Sequence, residues 1–342
     1  MTKTMSRTKL WILLPLLGAL PAFAQGGWTV AKALSVGGQG GWDYLTVDPQ
    51  THRLYVPRST HTMVIDANDG KVVADIPGQK IAHGVALAPE AGRGFISDGG
   101  GSGAIVVFDL KTNAALGSIA AQPDVDGIIF DPATNHIVAV SGDKGVLMTL
   151  KPDLDPKSGK IDATIDLGGA PEFLAADGTG KVYVNLMDKN TVAVADLKAQ
   201  KVIARWPVAP GGAPVGMALD AAKHRLYIGG RKPQKLVAID TDTGKVLSSL
   251  PIGSGVDAVK IEGGEVFASC GDGTLTIASE KADGTLEAKQ TLKTQQGART
   301  MGVDSSTHTL YLPAAEFDPP KAGSGRPVAK PGTFMIVIVK RG

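Results

Sequence analysis

The amino-acid sequence predicts an all-β chain folded as a seven-bladed β-propeller, with four strands to a blade. Three observations carry the prediction. A unit of 40 to 46 residues recurs along the chain. Each unit holds four short apolar runs separated by turns rich in Gly, Asp and Pro, the punctuation of antiparallel strands. The last unit stops after its third strand, while the start of the chain carries a spare fourth. Repetition at this period, with four strands per repeat, is the pattern of propeller blades.

Residues 1–24 read as a cleaved export signal. Lys3, Arg7 and Lys9 precede the apolar run LWILLPLLGAL, and Ala22-Phe23-Ala24 forms a small-x-small cleavage site before Gln25. The run is too short to span a bilayer and is broken by Pro15 and Gly18. No Cys follows to carry a lipid. The mature chain, 25–342, is therefore expected to be one domain, periplasmic or secreted, monomeric and without a membrane anchor. Cleavage leaves 32 Lys and Arg against 33 Asp and Glu, so the +2 of the whole chain becomes −1. That balance gives no bulk attraction to nucleic acid or anionic membrane. The single Cys270 excludes an intrachain disulfide, CxxCH haem attachment and a Cys-rich zinc site.

The repeat is clearest in residues 41–78, where DYLTVD, RLYVP, TMVIDA and KVVADI are the four strands, and again in residues 215–253. Aligning the first strands gives the equivalent positions Asp43, His83, Asp126, Glu172, Val215, Asp257 and Arg299, spaced by 40, 43, 46, 43, 42 and 42 residues. Along these strands one alternating set is large (Leu45/Val47, Ile128/Phe130, Met217/Leu219) and the opposite set is often small (Gly84/Ala86, Gly216/Ala218, Thr300/Gly302). A blade's large face can then nest on its neighbour's small one. FMIVIVK, residues 334–340, matches a third strand, and TVAKALSVGG, residues 29–38, matches the missing fourth. Pairing the two closes the last blade and removes an open edge.

Tyr183-Val184-Asn185 followed by NTVAVADL, and LYIGG followed by KLVAID, resemble the YVTN repeat of bacterial, YncE-like propellers. The resemblance covers the mature chain and implies the fold. It implies no single activity, because propellers of this type have diverse roles. Some seven-bladed propellers of similar plan are lactonases, but no motif here carries that activity over.

Ring closure brings the seven equivalent positions to the mouth of the central channel. The set is mixed and mostly acidic, whereas one structural need would repeat one residue type. Converging carboxylates and an imidazole can hold a divalent cation such as Ca²⁺, Mn²⁺ or Zn²⁺, with Asp43, His83 and Asp126 as candidate ligands. They can also share a proton or act as acid and base, with His83 and Asp126 the candidate catalytic pair. Arg299 can orient an anionic ligand group. The bland alternative is that the acids satisfy turn backbone and channel water. The candidate ligand-binding set is Asp43, His83, Asp126, Glu172, Asp257 and Arg299, with Trp42, which can stack on a ligand, and His61, in the first blade's mouth-side loop. His52, His136, His224 and His308 each precede a second strand and are expected on the opposite face. Residues after the second strands, including Arg58, Asp98, Asn185, Arg231, Cys270 and Asp272, are expected near the mouth. Cys270 reads as a small buried residue. Asp240-Thr-Asp242-Thr-Gly244 lacks the acidic twelfth residue of a calcium loop and reads as a hairpin turn. Residues 313–332 form one long irregular loop, either a lid or docking arm on the mouth side or a plain surface loop.

Two functions follow. One is a binding or interaction module that takes a small molecule, protein or peptide at the mouth and needs no cofactor beyond a possible divalent cation. The other is a mouth hydrolase, lactonase or lyase, with or without metal.

Overall fold

The computed structural model describes Met1, residues 26–319 and residues 328–342. The expected export signal, apart from Met1, and the middle of loop 313–332 lie outside the described residues. Among those described, no helix is long and apolar enough to cross a membrane.

The strands assemble into seven four-stranded blades. The inner strands are Thr46–Asp48, the end of Val72–Ala88, Val125–Asp131, Pro171–Ala176, Pro214–Asp220, Val256–Glu262 and Gly302–Asp304. Each blade then runs outward through successive antiparallel neighbours. The 17-residue strand Val72–Ala88 is the outer strand of the first blade and the inner strand of the second. Trp28–Ser35 pairs antiparallel with Met335–Arg341, from Trp28 opposite Arg341 to Ser35 opposite Met335, and becomes the outer strand of the seventh blade.

No hydrogen-bonded sheet runs around the ring; the first two blades share Val72–Ala88, and the others join mainly through side chains. Seven apolar clusters are present among the described residues, one at each junction between neighbouring blades. The cluster of Leu45, Leu54, Ile65, Tyr311 and Ile336 joins the seventh blade to the first. Small residues let the blades approach. A Cβ on Gly302 would stand 2.7 Å from Val47, and one on Gly216 would stand 2.8 Å from the backbone of Ala258. At the same seam Thr300 Oγ1 donates to the Asp43 carbonyl at 3.0 Å.

The turn before each second strand has at least one left-handed residue: His52, Gly92, Asn135, Gly178 and Gly180, His224, Gly263 and Gly264, and His308. Gly adopts this backbone freely, and Asn and His are enriched there among other residues. Turn geometry thus accounts for His52, His224 and His308. His136 differs from the expectation, since it opens the second strand itself, one residue later. His52 contacts Asp304 at 3.1 Å and His308 contacts Glu262 at 2.5 Å. Both acids end inner strands whose opposite ends approach the mouth.

The loop 313–332 is more ordered at its base than an irregular loop. Phe317–Asp318 pairs with Val328–Ala329, and the Phe317 ring lies 6.1 Å from that of Trp42.

Candidate functional site

The ring positions share a backbone feature. Between Ala82 and Val85, Val125 and Ile128, Pro171 and Leu174, Pro214 and Met217, and Val256 and Ala258, the pairing register shifts. His83, Asp126, Glu172, Val215 and Asp257 lie within these shifts, while Asp43 and Arg299 lie just before the first and seventh inner strands begin. A bulge frees a residue from the ladder and re-aims its side chain. That is how polar groups enter the channel from strands whose other residues pack between blades.

Asp43, His83, Asp126, Glu172, Asp257 and Arg299 line one cavity of about 500 Å³, with Tyr44, Arg231, Gly255 and Gly271. Val215 is buried and does not line it.

One side of the cavity is acidic around an imidazole. His83 Nδ1 lies 2.8 Å from an Asp43 oxygen and 3.7 Å from Asp126 Oδ1. Asp126 Oδ1 is buried without a hydrogen-bond partner. Burial opposes a charge on His83, but the hydrogen bond to Asp43 and the fields of Asp126 and Asp43 outweigh it and raise the pKa to about 9. Burial and the neighbouring Asp43 push the Asp126 carboxyl well above the usual range, against the pull of His83. Burial raises Glu172 to about 7, against Arg231 and with help from Asp257.

The other side is basic. Asp257 sits between two guanidiniums, 2.5 Å from Arg231 Nη2 and 2.5 Å from Arg299 Nε. Arg231 Nε also donates to the Val256 carbonyl, and Arg299 Nη2 to that of Trp42. The Nη1 of each guanidinium is left with no hydrogen bond to the described residues.

Two predicted ligand residues are corrected. Trp42 does not line the cavity; it is buried between the seventh and first blades against Phe317 and Phe334. Its carbonyl, not its ring, reaches the site. His61 also lies away from the cavity, on a strand paired through Pro77, with Asp75 at 3.9 Å. Position next to a ring residue in sequence, or on a mouth-side loop, does not decide where a side chain points.

Of the residues expected near the mouth after the second strands, Arg231 enters the cavity, beside Gly271. The others tie loops together. Arg58, buried, donates to the carbonyls of Gly37, Gly40 and Gly41. Asp98 accepts from Lys80 and Ile81 N–H, and Asn185 donates to Val215. The Cys270 thiol is buried, which with Asp272 pushes it up to about 12, so it is no nucleophile. Asp240 accepts from the Asp242 and Thr243 N–H groups, as a hairpin turn requires.

Comparison with known proteins adds the fold alone. No protein-family model matches the chain, and no curated protein matches it. Solved structures do. The chain is similar to a chain of the crystal structure of the Mitotic Checkpoint Complex, at 13% identity and TM-score 0.74 over 98% of both chains. It is similar to the WD40 β-propeller domain of Doa1, at 15% identity and TM-score 0.68 over 91% of this chain and 97% of that one. A third is U3-55K, at 12% identity and TM-score 0.74 over 91% and 99%. The chain is a β-propeller.

Proposed function

We propose that this chain is an exported propeller of the YVTN-repeat kind, a monomeric binding module that takes a small polar ligand at the channel mouth. The observation that carries the reading is the two-sided charge of one cavity. Asp126 lies on one wall with its Oδ1 buried 3.7 Å from His83 Nδ1, and Arg231 and Arg299, each with an Nη1 that makes no hydrogen bond to the described residues, stand on the other. A molecule with hydrogen-bond donors at one end and an anionic group at the other satisfies both. A ligand anion gains charge-assisted hydrogen bonds from the partly exposed guanidiniums, and these give the ligand its affinity. The cavity, about 500 Å³, is within the size range of small-molecule sites.

The test is a thermal-shift and calorimetric series with amino acids, dipeptides and hydroxy acids. One class should raise the melting temperature by linkage, and Asp126→Ala and Arg231→Met should each abolish the shift. A mouth that binds none of them, with silent variants, sinks the reading. Amino-terminal sequencing of the exported protein should begin at Gln25.

A divalent cation is the second reading. One ligand atom each from Asp43, His83 and Asp126 lies within 4.8 Å of the others. His83 must lose its proton to ligate, so affinity for Mn²⁺ or Zn²⁺ should rise between pH 6 and about 9, with proton release. Binding indifferent to pH, or to His83→Gln, counts against it. Lactone turnover that depends on His83 and on added metal would promote the enzyme reading.

A further inference from the structure

The inner strands carry small residues on the face that meets the next blade, at the first and third positions after the ring. Gly84/Ala86 and Gly216/Ala218 are examples. The sharpest departures are Tyr44, Phe173 and Lys260. They come from the first, fourth and sixth blades, yet they meet. The Tyr44 and Phe173 rings are 4.8 Å apart, and Lys260 Nζ stands 5.2 Å from the centre of the Phe173 ring. At the third position, where Lys260 sits, the other blades have Thr46, Ala86, Ile129, Ala175, Ala218 and Gly302. There Ile129 still packs against the junction of the third and fourth blades, whereas the long Lys260 side chain reaches the Phe173 ring.

The result is a second chamber. Tyr44 borders the mouth cavity on one side and a cavity of about 490 Å³ on the other. The second cavity opens toward the far face past Asp48, Pro49 and Gln50. Its wall is mainly apolar, with Leu87, Ile129, Phe130, Phe173 and Met301, and Lys260 projects among them. Lys260 makes no hydrogen bond or ion pair with the described residues. The acids around it are engaged elsewhere. Asp257 is held by its two guanidiniums. Asp48, Asp131 and Asp177 at the far rim accept from their own turns, including Thr51, Thr134 and Thr179. Burial alone acts on the Lys260 amine and lowers its pKa.

We infer that this inner chamber is a binding site for a small amphiphilic monocarboxylate, with its carboxylate on Lys260 Nζ and its hydrocarbon body against Phe130, Phe173 and Met301. One localised cation matches one localised anion. A dianion such as a phosphate monoester would bring a second charge into an apolar wall with nothing to neutralise it. An uncharged lipid would leave the ammonium unpaired. The contact also restores the proton that burial disfavours, because an adjacent carboxylate favours the charged amine. The site uses neither His83 nor Asp126, although Tyr44 and Asp257 line both cavities.

The test is isothermal titration calorimetry of the mature chain with octanoate and with 1-octanol as the uncharged control. Octanoate should bind at least about tenfold more tightly than octanol. Lys260→Met should weaken octanoate by a similar factor while leaving octanol within about twofold. Equal affinities for the two in the native protein, no octanoate binding, or octanoate binding that Lys260→Met leaves unweakened would each overturn the assignment. The comparison of the two probes in the native chain decides the question even if the variant folds poorly.

Discussion

The two ends of the channel are built from the same inner strands and are chemical opposites. At the mouth, residues at bulges or just outside the ladder turn charged side chains inward, and nearly every charge there has a partner. A few residues further along, the ladder is regular, the wall is mainly apolar, and one amine has no hydrogen-bond or ion-pair partner among the described residues. The difference teaches that repeat position sets a residue's height in the ring, whereas local pairing sets its direction. Charge at the mouth is therefore built into the structure, and charge in the inner chamber is an isolated departure that costs stability. The two ends should answer to perturbation with opposite signs.

The largest effect breaks both ends together. Both chambers require a closed ring, and Trp28–Ser35 supplies the last strand. Deleting residues 26–38 leaves Met335–Arg341 as a bare edge and removes Trp28 and Leu34 from their clusters. Loss of the cooperative melt and aggregation on expression are expected. A deletion variant that melts like the native protein would show that the ring does not depend on this strand.

Next comes Asp257→Ala. It leaves two guanidiniums facing each other across a vacated carboxylate site that is 7% exposed. Removing one partner of a buried pair costs about 3–5 kcal/mol, and the arginines' partial exposure puts the loss near the lower figure. Urea unfolding should report it. A loss below about 1 kcal/mol would mean that cavity water already screens the pair.

The pH dependence is the third effect and separates the ends directly. His83 has a folded pKa of about 9 against about 6.5 for a free imidazole. Its contribution is fully present below pH 6.5 and is lost as pH rises through 9. Glu172, raised to about 7, acts in the same direction at lower pH. The melting temperature should therefore fall from pH 5 to pH 9. His83→Gln should remove the upper part of the fall, about 2–3 kcal/mol, since the ring is only 19% exposed. Lys260 has the opposite sense: its lowered pKa means that its penalty eases as pH rises toward the ordinary lysine range. A flat profile between pH 5 and 9 would refute the mouth's charge arrangement.

What could be read from the sequence follows the same division. Asp43, His83, Asp126, Glu172, Asp257 and Arg299 were recoverable because equal repeat positions must lie at equal heights. Trp42 and His61 were misplaced because closeness in sequence says nothing about direction; Trp42 turns into a blade junction and only its carbonyl faces the site. Arg231 belongs to the end of a second strand, and its entry depends on the reach of a long side chain rather than on register. The bulges have no marker in the sequence. Lys260 did have a signal, as the one charged residue in a column of small and apolar ones. That signal becomes a chamber only when Phe173 and Tyr44, from other blades, are seen beside it.

Lys260→Met is the smallest effect and the sharpest test of the comparison. At the mouth, removing a charge strands its partners. In the inner chamber the amine has no hydrogen-bond or ion-pair partner among the described residues to strand: it has a ring face at 5.2 Å, and the acids that line the wall, Asp48 and Asp257, are bound elsewhere. The substitution keeps an unbranched side chain of similar length, so packing against Phe173 survives. It removes a partly buried ammonium that no carboxylate among the described residues pairs. The cation–π contact it forfeits is worth about 0.5–1 kcal/mol, less than the about 1–3 kcal/mol of leaving a buried polar group unpaired. The variant should therefore be more stable than the native chain by about 1 kcal/mol at pH 7 in the absence of ligand, and a given octanoate concentration should stabilise the native protein more than the variant. A destabilised Lys260→Met would mean that the amine is already well solvated or paired, and the two ends of the channel would then differ in composition but not in kind.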